Sequence, residues 1–162
     1  MSKFHLSALC AASFCLVAAA MPSAALADTD ACTILTPAQV GGAVGVPVSD
    51  GKHVTPTYVK TCTWNGSGGS SKVKAVTLFL QTAAAYDGGK QMASQMAAGR
   101  KGAAVKPASV GDDGYYFVAG DQVGLLVKKG SVSFKVTVYA TLPVEKKEAM
   151  ELTLAKDALA KL

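Results

Sequence analysis

Two cysteines constrain the fold of this chain more than any other feature. Of four cysteines in 162 residues, Cys10 and Cys15 lie in an apolar N-terminal stretch. If export removes that stretch, Cys32 and Cys62 remain, and two cysteines in a small exported domain most simply pair. Their disulfide would close a loop of about 30 residues and stabilise the fold by roughly 3 to 4 kcal/mol in the chain-entropy model. Zinc is the weaker alternative, because these cysteines and His53 do not make four ligands.

The N-terminal segment has the three parts of a secretory signal peptide. Lys3 supplies the positive charge, residues 6–21 (LSALCAASFCLVAAAM) are almost wholly apolar, and the tripeptide ALA ending at residue 27 has the small-x-small form of a cleavage site. We therefore predict a cleaved signal peptide, 1–27, and a single periplasmic or secreted domain, 28–162. An uncleaved anchor is the alternative, although the apolar run is shorter than the ~20 residues that span a bilayer. We expect no transmembrane segment in the mature chain.

The charge of the chain argues against nucleic acid as a partner. The sequence has 16 basic and 11 acidic residues, and loss of Lys3 lowers the net charge from +5 to +4. The basic residues are spread along the chain, whereas nucleic-acid-binding proteins concentrate them in a stripe. A solvated surface is favoured, and attraction to anionic lipid or cell-wall polymer is the alternative.

Local patterns predict three helices. A capping-box pattern beginning at Thr36 predicts a short first helix that ends about Gly45. The composition of residues 83–99 is typical of a second helix. Its Met92 and Met96 are expected to fill the core, and a ligand groove is the alternative for them. The third helix opens at Pro143 and should dock on the sheet through an apolar stripe. The predicted members of that stripe are Glu148, Leu152, Ala155, Leu159 and Leu162.

Strand patterns fill the intervals between the helices. An edge strand or irregular segment is expected from His53 onward, leading to a strand in which Cys62 and Trp64 share the core face. A flexible hairpin loop, 65–71, then leads to a strand at 73–81 whose Val76, Leu78 and Leu80 face one way. Residues 115–128 predict a hairpin with its turn at Gly120-Asp121. The clearest alternation is SVSFKVTVYAT, 131–141, with Val132, Phe134, Val136 and Val138 inward and Ser133, Lys135, Thr137 and Tyr139 outward.

The order helix, strands, helix, strands, helix predicts an α+β fold. We expect layers formed by three helices and a mostly antiparallel sheet of about five or six strands. The 135 residues that follow the predicted signal peptide suffice for one core.

Catalytic motifs are absent from the sequence. There is no G-x-S-x-G, H-E-x-x-H, P-loop or EF-hand spacing, so we expect no cofactor and no metal. The carboxylates of Asp112 and Asp113 are the pair to weigh, because glycosidases work with two carboxylates. Adjacent strand residues point to opposite faces, so these two could cooperate only from an irregular loop. Flanking Gly111 and Gly114 fit an ordinary turn as well. We favour the turn, with a ligand or cation contact and catalysis as alternatives.

The ordered motifs resemble those of a known family. They are CTILT at 32–36 with a short helix, CTW at 62–64, SVGDDGYY at 109–116, and a Lys-Gly turn into a valine-alternating strand. This combination is similar to a family of small exported bacterial domains, many of them lipoproteins and nearly all of unknown function. The resemblance implies the layered α/β fold of the photosystem extrinsic protein P and the Mog-type proteins. Two departures are the missing lipoprotein cysteine and the Asp-Gly pair after the Gly-Asp turn.

We favour a non-enzymatic binding or accessory domain of unknown ligand, which contacts a protein, a cell-envelope component or a small ligand. Candidate contacts lie on the last strand and on the loop that adjoins it; they are Lys135, Thr137, Tyr139, Asp112, Asp113, Tyr115 and Tyr116. An inhibitor or immunity-type partner of a secreted enzyme is the first alternative. A hydrolase acting through either aspartate is the second, and it requires a concave pocket and a carboxyl group of raised pKa.

Overall fold

The computed structural model describes residues 29–68 and 72–162 as three helices and a seven-stranded sheet. A 3₁₀ turn, Ala31–Thr33, precedes α1 (Pro37–Val44), α2 (Ala83–Gly99) and α3 (Val144–Leu159). The strands are β1 (Lys52–His53), β2 (Thr61–Asn65), β3 (Val73–Thr82), β4 (Ala103–Pro107), β5 (Asp113–Ala119), β6 (Gln122–Lys129) and β7 (Val132–Ala140). The predicted signal peptide and the centre of the 65–71 loop lie outside the described residues.

All six pairs of neighbouring strands are antiparallel, in the order β1-β2-β3-β7-β6-β5-β4. The predicted α+β class, the three helices and the antiparallel sheet are confirmed. The additional strand is β4, whose sequence AAVKP shows no clear apolar alternation. Within residues 29–68 and 72–162, no helix combines the length and the apolarity that a bilayer crossing requires.

The start of the chain is fixed by a cap and a covalent bond. Gln39 N donates to Thr36 Oγ1 at 3.2 Å, and Thr36 N donates to Gln39 Oε1 at 3.0 Å, so the predicted capping box is present. Gly45 ends α1 in the left-handed conformation at φ 70°. The predicted disulfide joins Cys32 to Cys62 and ties the 3₁₀ turn to β2.

The inner face of the sheet is the one that packs against α1 and α3. Its side chains form one large core with Val40 and Val44 of α1 and with Leu154 and Ala158 of α3. The sheet residues of this core are Cys62, Trp64, Val73, Val76, Leu78, Leu80, Tyr116, Val118, Val123, Leu125, Val127, Phe134, Val136 and Val138. The predicted inward faces of β2 and β3 are thereby confirmed, and so is that of β7 except at Val132, which is only partly buried.

The buried stripe of α3 differs from the prediction. It consists of Lys147, Glu151, Leu154, Ala155 and Ala158, and Glu148, Leu152, Leu159 and Leu162 are only partly buried. The reason lies in the sheet. β6 pairs with β7 only from Leu125, opposite Val136, and the strands leave a gap before that pair.

Polar side chains of α3 fill the gap between these strands. Val138 N donates to Glu151 Oε1 at 2.9 Å. Lys147 Nζ donates to the carbonyl oxygens of Asp121 and Ala140. A search for apolar periodicity cannot find such a stripe, because Lys147 and Glu151 are charged residue types. Their side chains bond backbone groups that a neighbouring strand would otherwise pair.

The outer face of the sheet is the opposite one, and α2 covers only part of it. Tyr86 and Ala93, seven residues apart on one side of α2, pack with Tyr115 in a small second cluster. Met92 and Met96 lie off that side and are 62% and 42% exposed. The prediction that these methionines fill the core is therefore wrong.

Candidate functional site

A cleft runs along the outer face where α2 leaves the sheet uncovered. One cavity of about 180 Å³ is lined by Gly89, Met92, Ala93, Met96, Tyr115, Phe117, Leu126 and Lys135. A second of about 180 Å³ is lined by Phe117, Ala119, Gln122, Val123, Gly124, Lys135, Thr137 and Tyr139. Because both cavities share Phe117 and Lys135, we treat them as one site, the outer cleft.

The N-terminal half of α2 is fastened to the sheet by charge and aromatic contacts. Lys90 Nζ lies 2.6 Å from Asp113 Oδ2, and Lys128 Nζ lies 2.7 Å from Asp87 Oδ1. The rings of Tyr86 and Tyr115 meet edge to face, with centroids 5.3 Å apart. These contacts fix the helix beside the cleft, so that Met92 and Met96 form one wall.

Lys135 crosses the floor of the outer cleft. A Cβ atom at Gly124 would lie 2.7 Å from Lys135 Cε and 3.1 Å from Thr137 Oγ1, so the lysine side chain lies directly over this glycine and a larger residue would displace it. The four ion pairs within the described part of the chain do not include Lys135. Its ammonium group thus stands beside the aromatic and aliphatic side chains of the cleft as a donor for an anionic group.

Four of the predicted contact residues line this cleft, since Tyr115 borders its first cavity. Lys135, Thr137 and Tyr139 all line its second cavity, as their shared outward direction on β7 predicts. Tyr139 is 43% exposed, whereas Thr137 is only 6% exposed. The expectation that every second residue of β7 faces solvent was wrong for Ser133 and Thr137, because neighbouring side chains cover this part of the outer face.

The two aspartates of the predicted turn between Gly111 and Gly114 have structural partners. Asp112 Oδ2 accepts a hydrogen bond from Gly130 N at 2.6 Å, and Asp112 N donates to the Lys128 carbonyl oxygen at 2.8 Å. Asp113 begins β5, and the Lys90 ammonium beside it holds the pKa of its carboxyl group below the ordinary value. The hydrolase alternative requires a raised pKa, and the shift of Asp113 is in the opposite direction.

Tyr115 and Tyr116 lie in β5, as the predicted 115–128 hairpin requires, and not on the adjoining loop where the contact prediction placed them. Tyr115 points to the outer face, where burial raises the pKa of its hydroxyl group to about 12. Tyr116 points to the inner face, and its hydroxyl group donates to the Glu148 carbonyl oxygen at 3.1 Å. Tyr115 is 1% exposed and Tyr116 is 8% exposed, so both act first as packing residues.

The sequence missed the apolar walls of the outer cleft. Phe117 and Leu126 were not expected at a binding site, and a ligand groove was only the alternative for the two methionines. The exposure of these walls depends on how α2 lies on the sheet. Gly124 offered a usable signal, because a glycine that interrupts a strand indicates close approach of another group.

A larger depression of about 440 Å³ lies beside α1. Its lining consists of Pro37, Ala38, Gly41, Gly42, Gly45, Val46, Pro47 and Val48. None of these side chains carries a charge or a hydrogen-bonding group, so the depression has no side chain that could orient a polar ligand.

Comparisons with known protein families, with curated proteins and with solved structures found no match for the chain. The resemblance to the exported bacterial family therefore stays a prediction. The functional argument depends on the geometry alone.

Proposed function

We propose that this protein is an exported, non-enzymatic binding domain whose outer cleft receives a segment of another protein. The observation that carries the proposal is the meeting of Lys135, Thr137 and Tyr139 with two exposed methionines along one cleft. Export is supported by the disulfide, since such bonds persist in oxidising compartments.

The dimensions of the cleft favour a protein segment over an enclosed small molecule. The cleft is divided into two cavities of about 180 Å³ each, and neither alone reaches the roughly 300 to 1,000 Å³ of a site that encloses a drug-sized ligand. Two small adjoining cavities suit successive side chains of an extended segment. Exposed methionines adapt to apolar side chains of differing shape.

The charge of the cleft specifies the partner further. Lys135 is the charged side chain of both cavities, so an acidic residue beside the apolar ones would complement it. We therefore expect an acidic, partly apolar segment. A secreted enzyme held in a stoichiometric complex would be one such partner, as the inhibitor alternative assumes.

A peptide selection tests this proposal. The purified domain is immobilised and exposed to a displayed library of random peptides. Enriched peptides should combine apolar side chains with Asp or Glu. Lys135→Glu should weaken their binding at least about tenfold and favour Lys or Arg at the same peptide position, because like charges repel in the cleft.

A matched variant controls for net charge. Lys156→Glu makes the same charge change at an exposed position of α3 and should leave binding unchanged. If the selected peptides bind wild type and Lys135→Glu equally, or if no peptide is enriched, the outer cleft is not the binding surface.

A further inference from the structure

Four metal-binding side chains converge where the 3₁₀ turn meets β1 and β2. Asp30 and Cys32 come from the turn, and His53 lies opposite Cys62 in the β1–β2 pairing. His53 Nδ1 is 3.6 Å from Cys32 Sγ, and His53 Nε2 is 3.2 Å from Asp30 Oδ2. The potential ligand atoms of Asp30, Cys32 and His53 all lie within 4.8 Å of one another.

We propose that reduction of the disulfide converts this cluster into a zinc site. A dithiol reductant supplies two electrons and two protons, the Cys32–Cys62 bond breaks, and the reductant itself becomes a disulfide. Zinc then displaces the two thiol protons to solvent and binds both thiolates and His53 Nδ1. A water molecule takes the fourth position, as at zinc sites with three protein ligands.

One ligand-to-ligand distance in the oxidised protein already fits this arrangement. Ligands at about 2.3 Å for sulfur and 2.0 to 2.1 Å for nitrogen place S and N roughly 3.5 Å apart in a tetrahedral site. Cys32 Sγ and His53 Nδ1 are already 3.6 Å apart. Once the covalent bond is broken, rotation of the cysteine side chains lets the two sulfurs separate around the metal.

Asp30 acts as a positioning residue for the imidazole. With its proton on Nε2, His53 donates to Asp30 Oδ2 and leaves the lone pair of Nδ1 for the metal. Asp30 is itself held, because its Oδ1 accepts a hydrogen bond from Cys32 N at 2.7 Å. In the oxidised protein Nδ1 also lies 3.2 Å from the Thr61 carbonyl oxygen, and zinc would replace that contact.

The ligand set selects zinc over calcium and magnesium, because two thiolates and an imidazole are soft or borderline donors. The cluster is also within reach of solvent, since the side chains of His53 and Asp30 are 23% and 36% exposed. Zinc would preserve the tie between the N-terminal turn and β2 under conditions that reduce the disulfide.

Zinc titration of the purified protein, before and after reduction with a phosphine, tests the proposal. A chromophoric chelator reports affinity, and Co²⁺ reports geometry. The reduced protein should bind one zinc ion at least about 100-fold more tightly than the oxidised protein. Its Co²⁺ form should show thiolate charge transfer and the intense visible bands of a tetrahedral site.

Single substitutions distinguish zinc binding at the proposed site from zinc binding by the two thiols alone. His53→Ala should weaken zinc binding at least about 100-fold, and Asp30→Asn about 10- to 100-fold with the tetrahedral Co²⁺ spectrum retained. Asp157→Asn, on α3, is the control and should change nothing. If the reduced chain unfolds, zinc must restore its circular dichroism and the emission of Trp64, the single tryptophan.

Three results would overturn the proposal. The first is equal zinc affinity before and after reduction. The second is wild-type affinity in His53→Ala, which would mean that the thiols alone bind the ion. The third is a reduced, unfolded chain that zinc does not refold.

Discussion

The two faces of the sheet differ in how completely helices cover them. On the inner face, α1 and α3 enclose a continuous core that includes Trp64, Phe134 and Leu154. On the outer face, α2 buries a cluster of three residues and leaves Met92 and Met96 in solvent. The difference indicates that the inner face contributes most of the stability, and the outer face is where we propose that recognition occurs.

Loss of the disulfide should lower the free energy of unfolding more than any other change proposed below. The double variant Cys32→Ala, Cys62→Ala removes a bond between residues with a sequence separation of 30. The free energy of unfolding should fall by about 3 to 4 kcal/mol, since the unfolded chain gains loop entropy. Urea denaturation measures the loss. A loss below about 1 kcal/mol would show that the tie is dispensable to the inner face.

Leu154→Ala tests the inner core itself. Leu154 is 0% exposed, and its truncation should lower the free energy of unfolding by about 3 kcal/mol through lost burial and a cavity. Leu152→Ala is the matched control and should have less than half that effect, because Leu152 is only partly buried. Equal losses would support the sequence-predicted stripe of α3 over the observed one.

Glu151 should make stability depend on pH. Burial raises the pKa of its carboxyl group to about 8 from an ordinary 4.5, and the Val138 N–H and the ammonium groups of Lys135 and Lys147 oppose this shift. The folded state therefore binds the proton more tightly than the unfolded state. The stabilisation is complete below about pH 4.5 and is lost as pH rises through about 8.

The expected loss from Glu151 ionisation is about 2 kcal/mol between pH 5 and pH 9. Each unit of pKa difference corresponds to about 1.4 kcal/mol, and rearrangement around the charged form offsets part of the total. Chemical denaturation across this range measures the loss. Glu151→Gln keeps an acceptor for Val138 N and should flatten the profile, whereas Glu145→Gln, exposed on the same helix, should not. If the pH dependence of stability is unchanged in Glu151→Gln, Glu151 is not the group that causes it.

The smallest stability effect is expected on the outer face. Met92→Ala and Met96→Ala should each change the free energy of unfolding by less than about 0.5 kcal/mol, because both side chains are exposed. The same variants should weaken binding of selected peptides several-fold. A loss of 2 kcal/mol or more in the free energy of unfolding would show that the methionines belong to the core, and it would contradict their assignment to the wall of the cleft.

Local features of the fold were predictable from the sequence, and long-range ones were not. The capping box at Thr36, the Cys32–Cys62 pairing and the inward side of β7 depend on neighbouring residues or on the cysteine count. The buried Lys147 and Glu151 depend on where β6 separates from β7, which no local pattern reports.

The candidate site was also predictable only where it depends on local pattern. Alternation on β7 placed Lys135, Thr137 and Tyr139 on one side, and the structure brings them into one cleft. The contact prediction put Tyr115 and Tyr116 together on a loop, although the predicted hairpin already placed them in a strand, where they occupy opposite faces of β5. The methionine wall depends on the side of α2 that packs, which Tyr86 and Ala93 determine.

Methyl NMR of the protein labelled at methionine compares the two faces most directly. Met92 and Met96 line the outer cleft, and Met150 of α3 packs against the inner core. Titration with a selected acidic peptide should shift the signals of Met92 and Met96 and leave that of Met150 in place. A shift of Met150 alone, with both cleft methionines unmoved, would contradict the assignment of recognition to the outer face.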